Sequence, residues 1–201
     1  EHGADFVLVN PVHAAEPVAP MEPSPYLPVT RRFLNPLYLR IEDIPELAQL
    51  DPFAHHRIQE LGRLGRLLNA GDSIDRDATW SLKREALGIL RAVPLTGARA
   101  RAYRRFRDVE GDGLTAYATW CALAEEHGLP WAGWPAELRD PASPEVAAFR
   151  AAKADVVDLH AWMQWLMAEQ LAAVQFALKR SGMRLGVIED LAVGVNPDGS
   201  D

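Results

Sequence analysis

Only the two ends of this chain carry apolar runs that read as buried strands, and most of what separates them keeps helical spacing or is broken by proline. Phe6-Val7-Leu8-Val9 is short and continuously apolar, the pattern of a strand covered on both faces as in a parallel sheet. Near the other end a long helical pattern closes at Ser181-Gly182, and Met183 to Val195 reads as a strand and the loop after it. Helix, glycine, buried strand and a polar loop with aspartate make one αβ step of an α/β barrel. The expected fold is therefore α/β, a partial (β/α)8 TIM barrel with a helical insertion. In such barrels the site lies at the C-terminal ends of the strands, so the loops after these two runs matter most.

Between the runs, Pro11, Pro17, Pro20, Pro23, Pro25 and Pro28 make a long stiff loop rather than a helix. A second extended run is expected at Leu37-Tyr38-Leu39-Arg40-Ile41. Asp51-Pro52 reads as a cap and first residue of a helix, followed by Ile58, Leu61, Leu64, Leu67 and Leu68 up to the stop at Asn69-Ala70-Gly71. Further helices are expected over about 75–93, 97–109 and 114–127, the last ended by Gly128. Ser143-Pro144-Glu145 opens another, and a longer one runs over about 156–180. Its apolar stripe is Leu159, Trp162, Met163, Leu166, Val174, Ala177 and Leu178. The division expected is 1–43 for the first strand and its loop, 44–142 for a helical insertion subdomain, and 143–201 for the barrel helix, strand and following loop. The chain begins without methionine and stops just after a strand, so it is expected to be truncated at both ends.

Twenty-one basic against 28 acidic side chains leave a formal charge of -7, which argues against nucleic acid or an anionic membrane surface as partner. The arginines at 99, 101, 104, 105 and 107 are expected on a solvated helix face, because no stacking aromatics interleave them. No run approaches the ~20 apolar residues that span a bilayer, and the residues before Phe6, with no basic flank or apolar stretch, are not expected to be a signal peptide. Cys121 stands alone in an apolar stretch, where a free thiol behaves as a small hydrophobe, so a reducing, cytoplasmic compartment is expected. His55-His56 lack partners at metal-ligand spacing, and no metal or cofactor is expected.

Five segments in order carry a resemblance. They are Asn10-Pro11-Val12-His13-Ala14, Ser24-Pro25-Tyr26, Arg31-Arg32-Phe33-Leu34-Asn35, His160-Ala161-Trp162-Met163-Gln164-Trp165, and Asp190 to Val195 with Gly199-Ser200-Asp201. The chain resembles the amylomaltase-type 4-α-glucanotransferases, glycoside hydrolase family 77, over essentially its whole length. The resemblance implies a fragment of an enzyme that transfers α-1,4-glucan segments between maltodextrins by a retaining double displacement. Such a mechanism uses a nucleophilic and an acid/base carboxylate about 5–5.5 Å apart. In this family both come from later strands, and no counterpart stands in this chain, so the fragment alone is expected to be inactive. A non-catalytic carbohydrate-binding or scaffold protein is the alternative.

The resemblance also assigns site residues. Asp190 matches a family aspartate that hydrogen-bonds glucose hydroxyls, and Tyr26 a tyrosine that lines the donor pocket with its aromatic face. Ser24 and Asn35 join them as candidate substrate-site residues, whose main task would be to hold the loop's shape. Glu189 departs from the His or Arg usual in the family at that place. Successive strand residues point to opposite faces, so Glu189 and Asp190 cannot flank one glycosidic bond, and Glu189 is expected to face outward. His13 is expected to bond within its loop, while His160, Trp162 and Trp165 are expected to pack between helices or against the barrel.

Overall fold

A computed structural model describes residues 3–200. The order of the main elements is β1 (Phe6–Val9), β2 (His13–Ala14), β3 (Thr30–Leu34), α1 (Pro52–Leu67), α2 (Arg76–Arg91), α3 (Gly97–His127), α4 (Pro144–Ala152), α5 (Ala154–Arg180) and β4 (Gly186–Glu189). Short 3-10 turns fill the connections, three of them between β3 and α1.

The helix starts follow from their caps. The Asp51 carboxylate accepts from the amides of Phe53 (2.8 Å) and Ala54 (3.0 Å), Asp75 from Ala78 (2.9 Å), and Ser143 Oγ from Val146 (3.0 Å). Proline follows the cap directly in α1 and α4. The two helices expected over about 97–109 and 114–127 are the two arms of α3, which meet at Gly111, where φ 60° and ψ -141° are not helical and most side chains would resist them.

The core runs through the helices. Trp162, Met163, Leu166, Leu87, Leu90 and Leu114 are fully enclosed, together with Leu39 and Ile44 from the segment after β3. Phe33 stacks on Tyr117 with centroids 4.4 Å apart, fastening β3 to α3. Cys121 is buried, which pushes its thiol well above the usual range and leaves it inert, as its apolar surroundings suggested.

Both terminal runs are strands, and they pair with each other in parallel, Phe6 opposite Gly186 and Val9 opposite Glu189. Within this chain neither strand is covered on both faces: Phe6 and Leu8 are 47% and 61% exposed. On the side of β4 away from β1, the Gln175 side-chain amide accepts from Val187 N–H (2.7 Å) and donates to Leu185 O (2.9 Å). Gly186, at φ 83°, makes room for it, because a Cβ there would overlap the Gln175 amide.

Three other expectations change. The extended run at 37–41 is not a strand: Pro36–Tyr38 and Ile41–Asp43 are 3-10 turns, and the Lys83 ammonium donates to the carbonyls of Leu37 (2.5 Å) and Leu39 (2.8 Å) that a strand partner would need. The extended segment lies earlier, at β3, paired antiparallel with β2 inside the proline-rich stretch. The stripe on α5 is buried through Leu166, while beyond it Val174 and Ala177 are exposed and Leu178 is half-buried. The arginines of α3 are not all solvated. Arg99 clamps the fully buried Glu46 and reaches Glu169 at 2.5 Å while lying over the Trp165 ring, and Arg107 approaches Asp158. No helix of the described residues is long and apolar enough to cross a membrane.

Candidate functional site: two loops at the C-terminal end of the parallel pair

Because β1 and β4 run parallel, the loops that follow them, 10–29 and 190–200, leave the sheet at the same end. Tyr26 and Asp190 meet there: the phenol donates to Asp190 Oδ2 at 2.9 Å across 164 residues of sequence. That hydrogen bond raises the Tyr26 pKa above the ordinary phenol range, so the hydroxyl stays a donor. Asp190 Oδ1 accepts from the Leu191 amide (2.9 Å), and the Asp190 amide donates to Val9 O (3.0 Å), so strand pairing fixes its backbone. Tyr26 is 45% exposed and Asp190 half-buried, which leaves an aromatic face beside a partly accessible carboxylate. Glu189 is exposed on its strand.

Tyr26 is held by a relay of short-range bonds. The Tyr26 amide donates to Ser24 Oγ (3.2 Å), the Ser24 amide to Glu22 Oε1 (3.0 Å), and the Glu22 amide to Glu16 Oε2 (2.9 Å). Farther out, the Met21 amide donates to Asp77 (2.8 Å) and Trp80 Nε1 to Pro17 O (2.7 Å), tying the loop to α2. Asn35 lies at the loop's far end, buried, with Oδ1 accepting from Leu37 N–H (3.0 Å). Next to it, the Gln164 amide makes both backbone bonds of Leu34 (2.9 and 2.8 Å). Ser24 thus meets the Tyr26 backbone, whereas Asn35 stands away from the Tyr26–Asp190 pair.

The second loop is fastened to the first. Asn196 N–H donates to Pro28 O (2.7 Å), Ser200 N–H to Val29 O (2.9 Å), and Arg31 reaches Ala192 O at 3.4 Å. Gly199 lies so close to Val29 that a Cβ would overlap the Val29 carbonyl oxygen, so this contact demands glycine. The buried Glu16 carboxylate accepts from Asn196 Nδ2 at 2.9 Å.

The remaining candidates fall elsewhere. His13 does not bond within its loop, because both ring nitrogens are buried and unpartnered. His160, Trp162 and Trp165 are core residues of α5. His160 Nε2 lies 3.1 Å from Glu125, which Arg84 also holds at 2.7 Å. Burial alone would raise the Glu125 carboxyl, yet the bonds from His160 and Arg84 outweigh it and hold it at about 2. Burial outweighs the carboxylate's pull on His160 and lowers its pKa, so the imidazole is neutral. Among the described residues no group of three or more His, Cys, Asp or Glu side chains is arranged to hold a metal ion.

Glu16, Asn196, Arg31 and Gln164 were not singled out from the sequence. Arg31 and Gln164 stand inside two of the five segments, whereas nothing local distinguishes Glu16 from Glu22 amid the prolines of 11–28.

The model of the 4-alpha-glucanotransferase family, glycoside hydrolase family 77, matches residues 1–201. A 4-alpha-glucanotransferase of Mycobacterium tuberculosis is 50% identical over all of this chain, which corresponds to 28% of that protein. One from Haemophilus influenzae is 30% identical over all of it and 31% of its own length. The crystal structure of amylomaltase from Corynebacterium glutamicum superposes with a TM-score of 0.81 at 39% identity, covering 98% of this chain and 26% of that one. Amylomaltase from Streptococcus agalactiae, in complex with acarbose, shares the fold at 15% identity, with a TM-score of 0.74 over 98% of this chain and 37% of its own. The chain thus spans under a third of the curated relatives named here, and it belongs to glycoside hydrolase family 77, the 4-alpha-glucanotransferases.

Proposed function

We propose that this chain is the part of a 4-α-glucanotransferase that builds one wall of the donor-sugar site. The observation that carries this reading is the Tyr26–Asp190 hydrogen bond, which joins two segments characteristic of the family at the C-terminal end of a parallel strand pair. Tyr26 offers its ring to the apolar face of a glucose unit. Asp190 has four acceptor positions, of which Tyr26 and Leu191 occupy two, and those left over accept from adjacent sugar hydroxyls. Ser24 and Asn35 serve by holding the loop. β1 and β4 would be strands of a (β/α)8 barrel whose other strands lie outside this chain. The helical block at 44–142 would be an insertion that shapes the glucan groove between the segments 1–43 and 143–201.

The nucleophile and acid/base carboxylates would likewise lie outside this chain. The whole protein would cleave an α-1,4 bond of a maltodextrin, hold the glucan on an aspartate and pass it to the 4-hydroxyl of another sugar. That chemistry calls for no metal or cofactor. A buried, unpaired Cys121 supports a cytoplasmic setting.

The test is disproportionation of maltotriose into glucose and longer maltodextrins. The longer protein containing this chain is expected to carry it out, and residues 1–201 alone to form no product above a mock-purified control. Asp190→Asn in the longer protein should lower kcat/KM by roughly 30- to 1000-fold, the ~2–4 kcal/mol of lost charge-assisted bonding to the sugar. Glu189→Gln should do far less. Equal losses at the two positions would overturn the assignment, and a longer protein that binds maltodextrin without transfer would favour a binding module.

A further inference from the structure

We propose that Glu16 is a positioning residue for the donor-sugar wall, the junction that sets Tyr26 and the Asp190 loop in register. This rests on the functional reading above. Strand pairing fixes the Asp190 backbone, and backbone bonds from Asn196 to Pro28 and from Ser200 to Val29 join the bases of the two loops, but none of these reaches the segment from Glu22 to Tyr26. Tyr26 and Asp190 form one side-chain bridge there, and they are the groups a ligand would meet, so a second bridge is needed to hold Tyr26 when a sugar competes for their hydrogen bonds.

Glu16 is placed to do this. It is only 6% exposed, and each carboxylate oxygen serves a different loop. Oε2 accepts from the Glu22 amide at 2.9 Å, and from there the relay runs through Ser24 to Tyr26. Oε1 accepts from Asn196 Nδ2 at 2.9 Å. The orientation of Asn196 is settled by its other end, since Oδ1 accepts from the Asp198 amide at 2.9 Å and must therefore be oxygen. Glu16 is thus a double acceptor between an amide N–H and an Asn N–H. A carboxylate fits these two places and a carboxamide does not, because a carboxamide would set a donor against a donor.

The same argument supplies its test by exchange. Glu16→Gln alone puts an amide N–H against one of the two donors. Asn196→Asp alone puts two carboxylates together. In Glu16→Gln with Asn196→Asp, the Gln amide N–H donates to the Asp, the Gln oxygen accepts from Glu22, and the second Asp oxygen accepts from Asp198. Every bond is restored with one of them reversed.

The experiment measures kcat and KM for maltotriose, and the melting temperature, in the longer protein containing this chain. Each single variant should lower kcat/KM by roughly 5- to 100-fold, as expected when a buried polar group loses its partner and misplaces a site. The double variant should return to within about threefold of the starting protein. In a Tyr26→Phe background, Glu16→Gln should cost much less, because the group it positions is already altered. A role in stability alone predicts restored melting temperature without this dependence on Tyr26. The proposal is overturned by single variants within twofold of the starting protein, by a double variant that stays impaired or does not fold, or by losses that add fully with Tyr26→Phe. If a single variant does not fold, the double variant decides. A starting protein without transfer activity would sink the functional reading and this inference together, whereas an active one with indifferent Glu16 sinks the inference alone.

Discussion

The helix α5 divides into two halves that live in different surroundings. From Val157 to Met167 nearly every residue is buried, His160 and Gln164 among them, whereas from Ala172 onward Val174 and Phe176 are 48% and 63% exposed. The first half is enclosed by α2, α3 and the segment after β3, all supplied by this chain. The second half lies with β1 and β4, where Phe6, Leu8 and Leu191 are also exposed. A continuous helix thus joins a buried core to an exposed apolar end. Apolar surface of this kind is what larger proteins bury, and the Mycobacterium tuberculosis and Haemophilus influenzae relatives are more than three times as long.

The contrast breaks or sharpens under substitution. Trp162 is fully enclosed, so Trp162→Ala in residues 1–201 should lower unfolding free energy by ~3–5 kcal/mol, whereas Phe176→Ser should stay within about 0.5 kcal/mol. Similar losses at the two positions in denaturant titrations would erase the distinction. Acid is expected to attack the closed half in two stages. His160 has a lowered pKa, so the unfolded chain takes up its proton first and stability falls as pH drops through the usual histidine range near 6.5. Glu125, held at about 2, contributes fully above its ordinary 4.5, and that contribution is lost between there and about 2. The Glu125 share is about 3 kcal/mol, and it should vanish in Glu125→Gln. An unchanged acid limb in that variant would show that the Arg84–Glu125–His160 cluster is not what titrates.

The smallest effect belongs to the open end. Leu8→Lys should change stability by less than about 0.5 kcal/mol while reducing hydrophobic-dye binding and self-association of residues 1–201, since β1 is an exposed apolar strand. A large loss of stability would mean that Leu8 is covered in solution. Loss of the helical signal together with dye binding by the unmodified chain would mean that the closed core does not hold by itself.

The closed half was the more legible in the sequence, because its helices carry local signals: Asp51, Asp75 and Ser143 as caps, and leucines at helical spacing. β1 and β4 were readable as apolar runs, although their mutual pairing was not, since nothing local links residues 6 and 186. β3 escaped notice because Arg31 and Arg32 interrupt it and its partner is two residues long. Leu37 and Leu39 imitate a strand, but Lys83 takes their carbonyls. At the site, Tyr26 and Asp190 were each singled out, but their meeting across 164 residues was not legible. The service of Glu16 could not be read, because a buried double acceptor looks in sequence like any glutamate in a loop.

The Gln175 amide has a consequence for how the sheet can grow. It already satisfies Leu185 O and Val187 N–H on the side of β4 away from β1. An incoming strand on that side finds open partners only from Val187 O onward, toward the end where Asp190 stands. Gln175 therefore acts as an end stop: it blocks pairings slipped toward the start of β4 and sets how far along β4 the next strand may begin.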